Sequence, residues 1–191
     1  MLKKVILIKK KLILDCDGVI INTIKAICDL YELKYKTHPN YKPPRWWEVN
    51  QWNFSDECPL LFESDLNDLF DSKDFFNIVE FMPWADEYIK ELSDNYNISV
   101  CSIGSINNLK LKKKWLSENL PCVKEFIGID LKYKDKSHID MSGCIFVDDC
   151  TTNLNTSNAD KKICFGDIYE WNKDWNGIRT YNWSDLKLHL T

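Results

Sequence analysis

The chain has 191 residues, 45% apolar and 28% charged, with a formal net charge of −4. That is one domain with room for one sizeable insertion, enough apolar material for a core, and too little positive charge for a protein that grips nucleic-acid backbones. No apolar run reaches the roughly 18–20 residues of a membrane helix, and eight cysteines without a Cys-x-x-Cys pair point to reduced thiols in a cytoplasmic protein rather than to a disulfide framework or a zinc site. The N-terminus alternates lysines with short apolar stretches and lacks the small-residue cleavage site of a secretory signal.

Along the chain, Val5 to Ile8 is either a strand or an extension pairing with the next one. Leu12-Ile13-Leu14 is the first clear buried strand. A helix from Ile24 to Leu33 follows the capping pair Asn22-Thr23. Residues 34–81 then break the rhythm: they are rich in Trp, Phe, Pro and Asp, and residues 51–100 carry 12 acidic against 2 basic side chains. Pro83 opens a helix to about Asp94, with Ala85, Tyr88, Ile89 and Leu92 on one face. Ile98 to Cys101 reads as a strand, 107–120 as a helix opened by Ser105 or Asn107, and Phe126 to Ile129 and Cys144 to Val147 as further strands. Near-continuous apolarity suits strands buried on both faces of a parallel sheet. The expected fold is α/β, a doubly wound, Rossmann-like parallel sheet, with a small helical cap inserted after the first strand and helix. The core is 1–33 with 82–191, and the cap is 34–81. From about residue 166 a tail with Trp171, Trp175 and Trp183 is expected to wrap the core.

Four features carry chemistry. Asp15-Cys16-Asp17-Gly18-Val19 ends the first strand, where open α/β sheets bind ligands. Two carboxylates at i and i+2 can share a divalent cation, and Gly18 frees the turn. Alone the string also suits a turn or a calcium loop, but the calcium-loop reading is weakened, since Val19-Ile20-Ile21 stands where further EF-hand ligands belong. Asp148-Asp149 follows the apolar run Ile145-Phe146-Val147; adjacent carboxylates there need a cation or proton, unless they merely cap a helix. Ser102 offers a hydroxyl at a strand end. At 100° per residue, Lys112 falls in the middle of the apolar arc formed by Leu109, Leu111, Trp115, Leu116 and Leu120. Lys110 and Lys114 fall on the solvent face, so Lys112 is the lysine that must snorkel or meet an anion.

In this order, Asp15-x-Asp17-Gly18-Val19, Ser102, Lys112 and Asp148-Asp149 resemble the four motifs of the haloacid dehalogenase-like phosphohydrolases. Arg45-Trp46-Trp47, Ser72 to Phe76 before Met82-Pro83, and Val100-Cys101-Ser102 are similar to strings of the 5′(3′)-deoxyribonucleotidase branch. The sequence departs from that branch where Ile103-Gly104 follows Ser102, and in a shorter connection from Ser102 to Lys112. The resemblance implies Asp15 as nucleophile and Asp17 as general acid and base. It implies Mg²⁺ held by Asp15, the backbone carbonyl of Asp17 and Asp149, with Asp148 as its neighbour. Ser102 and Lys112 would clamp phosphoryl oxygens, with Lys112 also stabilising Asp15.

The implied substrate is a nucleoside 5′-monophosphate, ribo or deoxy, its base held by Trp46, Trp47, Phe70 and Phe76, with Trp47 and Phe76 as the sandwich. The alternative for those rings is the cap's own small core. Rival readings are a phosphatase of sugar phosphates or other small esters, and a catalytically weak protein that binds phosphoryl ligands. Neither a membrane nor a nucleic-acid strand is an expected partner, and the oligomeric state is left open, a homodimer included.

Overall fold

A computed structural model describes residues 9–190, so the Val5–Ile8 segment lies outside the described residues. Six parallel strands form one sheet in the order β3-β2-β1-β4-β5-β6. They are β1 (Lys10–Leu14), β2 (Tyr96–Gly104), β3 (Glu125–Asp130), β4 (Ile145–Asp148), β5 (Lys161–Phe165) and β6 (Ile178–Thr180). The helices are α1 (Thr23–Tyr35), α2 (Glu63–Phe70), α3 (Lys73–Ile78), α4 (Ala85–Leu92), α5 (Ile106–Asn119), α6 (Thr151–Thr156) and α7 (Trp183–Leu190). The doubly wound α/β expectation holds.

The apolar runs are continuous because both faces of the sheet are covered. Leu12 and Leu14 belong to one buried cluster, while Ile13 between them belongs to a second on the other face. This is the two-residue period of a strand with a core on each side. Helix α1 starts where expected, with the Asn22 side chain accepting from the Lys25 N–H at 3.1 Å. Helix α4 starts later than expected. Trp84 takes a left-handed φ of 68°, so Pro83 sits in the preceding turn and Ala85 opens the helix.

Between α1 and α4 the chain makes a 3-10 turn at Trp46–Glu48 and the short helices α2 and α3. Phe54, Leu61, Leu66 and Phe75 of this insert join the same buried cluster as α1. The tail, expected to wrap the core, packs on it as edge strand β6 and helix α7; Trp183 of α7 is buried and donates its indole N–H to the Val19 carbonyl at 3.0 Å.

Candidate active site

Chain order runs outward from β1 to β2 and β3, then returns to β4 on the other side of β1. Strand order therefore reverses between β1 and β4, and a crevice opens outside their carboxyl ends. Asp15 directly follows β1, and its N–H still donates to the Val147 carbonyl at 2.8 Å, so β1 and β4 are locked together to their tips. Asp148 ends β4, and Asp149 comes next. Oxygen atoms of Asp15, Asp148 and Asp149 all lie within 4.8 Å of one another, and all three residues are buried. Gly18 has a φ of +69°, and a Cβ there would stand 2.7 Å from the Asp149 carboxylate. Glycine is required by both the turn and the close approach.

Two buried lysines divide this acidic group. Lys112 lies on α5, only 2% exposed, as its place in the apolar arc demands. It donates to the Asp17 carboxylate and, at 3.0 Å, to the Ser102 hydroxyl. The other Asp17 oxygen accepts from the Thr23 hydroxyl at 2.8 Å. Lys136 comes from the β3–β4 connection and is 1% exposed. It donates to Asp15 and Asp148, both at 2.6 Å. The resemblance led to Lys112 as the lysine beside Asp15; the structure puts Lys136 there and Lys112 beside Asp17.

Sequence reasoning missed Lys136 because it stands in an irregular loop among Lys132 and Lys134, where no helical period separates a buried lysine from exposed ones. One signal was present. The short Ser102–Lys112 connection meant that a second lysine further along had room to fill the family's position.

The carboxylates differ in how far they are satisfied. Asp148 accepts from Lys136, the Cys150 N–H and the Asn153 side chain. Among the described residues Asp149 receives one hydrogen bond, from the Trp171 indole N–H at 2.9 Å. Burial pushes the Asp149 carboxyl well above the usual carboxylate range; Asp148 and Asp15 add to this, and Trp171 opposes it. Burial likewise raises Asp15 to about 7, against the pull of Lys136. Burial disfavours the Lys136 and Lys112 ammonium groups, yet their facing carboxylates raise both above the ordinary lysine value.

Four aspartates face two lysines at this crevice, a surplus of two carboxylates over ammonium groups. All available donors are hard oxygens. A divalent cation such as Mg²⁺ fits that surplus and donor set.

The crevice widens into a cavity of about 250 Å³ lined by Asp15, Asp17, Ser102, Lys136 and Asp149, and roofed by Trp52 and Trp171. A second cavity of about 220 Å³ adjoins it across Asp149 and Trp171, with Trp46, Trp52, Tyr169 and Asn182 among its walls. The expected aromatic pocket is only partly assembled. Trp46 lines the second cavity, and Phe70 stacks beneath Trp52 at 5.7 Å. Trp47 is 65% exposed and meets Trp46 edge-on. Phe76 lines a separate groove with Lys110, Lys114 and Trp115, which none of the strand-end aspartates reaches. The rings at the strand ends are thus Trp52 and Trp171 instead of Trp47 and Phe76, because α3 directs Phe76 toward the outer side of α5.

Residues 9–190 match the family model described as 5′ nucleotidase, deoxy (Pyrimidine), cytosolic type C protein. The chain belongs to that family. It is thereby a haloacid dehalogenase-like phosphatase, as the motif order implied. Solved structures share this chain's fold at low identity. A haloacid dehalogenase-like hydrolase from Streptococcus pneumoniae is 10% identical over 96% of this chain and 99% of that one, with a TM-score of 0.62. A subfamily IA hydrolase from Geobacter sulfurreducens is 13% identical over 96% and 97%, at 0.60. YfnB from Bacillus subtilis, bound to magnesium, is 10% identical over 96% and 99%, at 0.59. No curated protein matches the chain. Among the described residues no helix is long and apolar enough to cross a membrane.

Proposed function

We propose that the protein is a Mg²⁺-dependent phosphatase of nucleoside 5′-monophosphates, working in the cytoplasm through an aspartyl-phosphate on Asp15. The observation that carries this reading is the buried crevice at the β1 and β4 tips, where Asp15 is held by Lys136 beside an aromatic-walled cavity. The family's description favours a nucleotide over a sugar phosphate. Residues 34–81 act as a cap over the core formed by 1–33 and 82–191.

Lys136 fixes one Asp15 oxygen and leaves the other for attack. That oxygen forms a bond to phosphorus while the bond from phosphorus to the nucleoside 5′-oxygen breaks. Asp17, held between Thr23 and Lys112, gives its proton to the departing oxygen. It then takes a proton from water as that water attacks phosphorus, which releases inorganic phosphate and restores Asp15. Ser102, Lys112 and Lys136 hold the phosphoryl oxygens and offset their charge. Mg²⁺, bound by Asp15, Asp149 and the Asp17 backbone carbonyl with Asp148 behind them, would supply further offset of the phosphoryl charge.

The nucleoside portion lies against Trp52, with Trp46 at its far side, in the two adjoining cavities. The test is a panel of nucleoside monophosphates, sugar phosphates and a small aryl phosphate, each assayed with Mg²⁺ and with chelator. Nucleotides are expected to give the highest kcat/KM, and chelator to abolish turnover. A sugar phosphate ahead of every nucleotide would overturn the substrate assignment.

A further inference from the structure

The loop between β5 and β6 touches both the insert and the acidic crevice. Its Trp171 donates the indole N–H to Asp149 Oδ2 at 2.9 Å, the one hydrogen bond Asp149 receives among the described residues. The ring is fixed from both sides. Tyr169 stacks on it with centroids 4.3 Å apart and planes within 5°, and Trp52 of the insert packs edge-on at 5.6 Å. The backbone follows the same path: the Glu170 N–H donates to the Asn50 carbonyl of the insert at 3.0 Å, and the Trp171 carbonyl accepts from the Thr151 N–H at the start of α6 at 3.2 Å. Trp52, Trp171 and Asp149 together form the wall shared by the two cavities.

We infer that Trp171 is a positioning residue that orients Asp149 toward a divalent cation and couples the placement of the insert, through Trp52, to that cation. This rests on the metal reading above and goes beyond it by assigning the orienting group. A carboxylate with one fixed oxygen presents the other in a constant direction, and partners of this kind typically change metal affinity by about 10–100-fold when removed. A ring that reached Asp149 only by packing would have no such effect once its bulk was conserved.

The experiment is Mg²⁺ titration of the full chain by calorimetry in the absence of substrate. It uses wild type, Trp171→Phe, Trp171→His and Trp52→Leu, with folding checked by circular dichroism. Trp171→Phe keeps an aromatic ring for Tyr169 and loses the N–H; it is expected to weaken Mg²⁺ by about tenfold or more. Trp171→His restores a ring N–H at a similar reach and is expected to recover most of the loss. Trp52→Leu leaves the N–H in place and frees the ring on one side, with an expected weakening of about threefold, below that of direct loss.

Wild-type affinity in Trp171→Phe, or equal losses in the Phe and His variants, would overturn the orienting hydrogen bond. Wild-type affinity in Trp52→Leu would overturn the coupling to the insert, and that arm stands even if the Phe variant fails to fold. Failure of wild type to bind Mg²⁺ would instead defeat the metal reading itself, so the two failures are distinguishable.

Discussion

On the sheet side of the site, Asp15, Asp148, Asp149, Lys112 and Lys136 are all at most 8% exposed, whereas Trp46 and Trp52 on the insert side are 38% and 43% exposed. The sheet-side wall concentrates like charges in a dry place, which costs folding free energy and persists because the tips of β1 and β4 are locked together. The insert-side wall is apolar surface left partly in water, where a flat ligand can cover it. Rigid, buried charge suits bond-breaking, and exposed rings suit recognition. Changes on the first wall should therefore lower kcat, and changes on the second should raise KM.

The sharpest break of that comparison is Asp15→Asn, which keeps the shape and removes the carboxylate proposed as nucleophile. It is expected to abolish turnover in a folded protein, and Asp17→Asn to remove most of it, both read as phosphate release. Near-normal rates in either would place the chemistry elsewhere. The lysines come next. Lys136→Ala and Lys112→Ala are each expected to cost about 10²–10³ in kcat, the value of one preorganised charge contact. Lys110→Ala and Lys114→Ala, at exposed positions of α5, should stay near wild type. If all four variants behaved alike, burial would not mark the functional lysines.

On the insert side, Trp52→Ala is expected to raise KM for a nucleoside monophosphate by about 5–150-fold, since base–aromatic stacking is worth roughly 1–3 kcal/mol. A small aryl phosphate should be turned over nearly as before. Trp47→Ala and Phe76→Ala should leave that substrate ratio unchanged, and a large shift in either would return the base to the pocket expected from sequence.

The smallest effect concerns stability. Asp15 is raised from 3.8 to about 7, with burial the largest cause. The folded chain keeps a proton there that the unfolded chain releases, so this group's stabilising effect is full below about 3.8 and is lost as pH rises through about 7. Without metal, wild type should melt progressively lower relative to Asp15→Asn between about pH 5 and 8, and Mg²⁺ should close the gap. Melting curves showing the opposite trend would contradict burial as the dominant influence on Asp15.

The same contrast explains what the sequence made legible. Asp15, Asp17, Ser102 and Asp148-Asp149 lie at or beside the ends of short apolar runs, and strand ends of a parallel sheet converge by topology alone. Lys112 was legible because a helix has a period and a lysine inside an apolar arc violates it. Lys136 sits in a loop with no period, and only tertiary placement against Asp15 and Asp148 distinguishes it. The insert was legible as aromatic and acidic, but not in its assignments. Which ring faces the crevice depends on how α2 and α3 pack on α1 and α5, and Trp52 stands outside both helices. Strands β5 and β6 were missed because β5 opens with Lys161-Lys162 and β6 has only three residues.

The most direct test of the central claim is to trap the covalent intermediate. Wild-type protein turning over a nucleoside monophosphate with Mg²⁺ is quenched and treated with borohydride, which reduces an acyl phosphate to an alcohol, and its peptides are sequenced by mass spectrometry. The account predicts conversion of Asp15 to homoserine, dependent on substrate and Mg²⁺, with Asp17, Asp148 and Asp149 unchanged. Conversion at another aspartate, with Asp15 intact during active turnover, would contradict it.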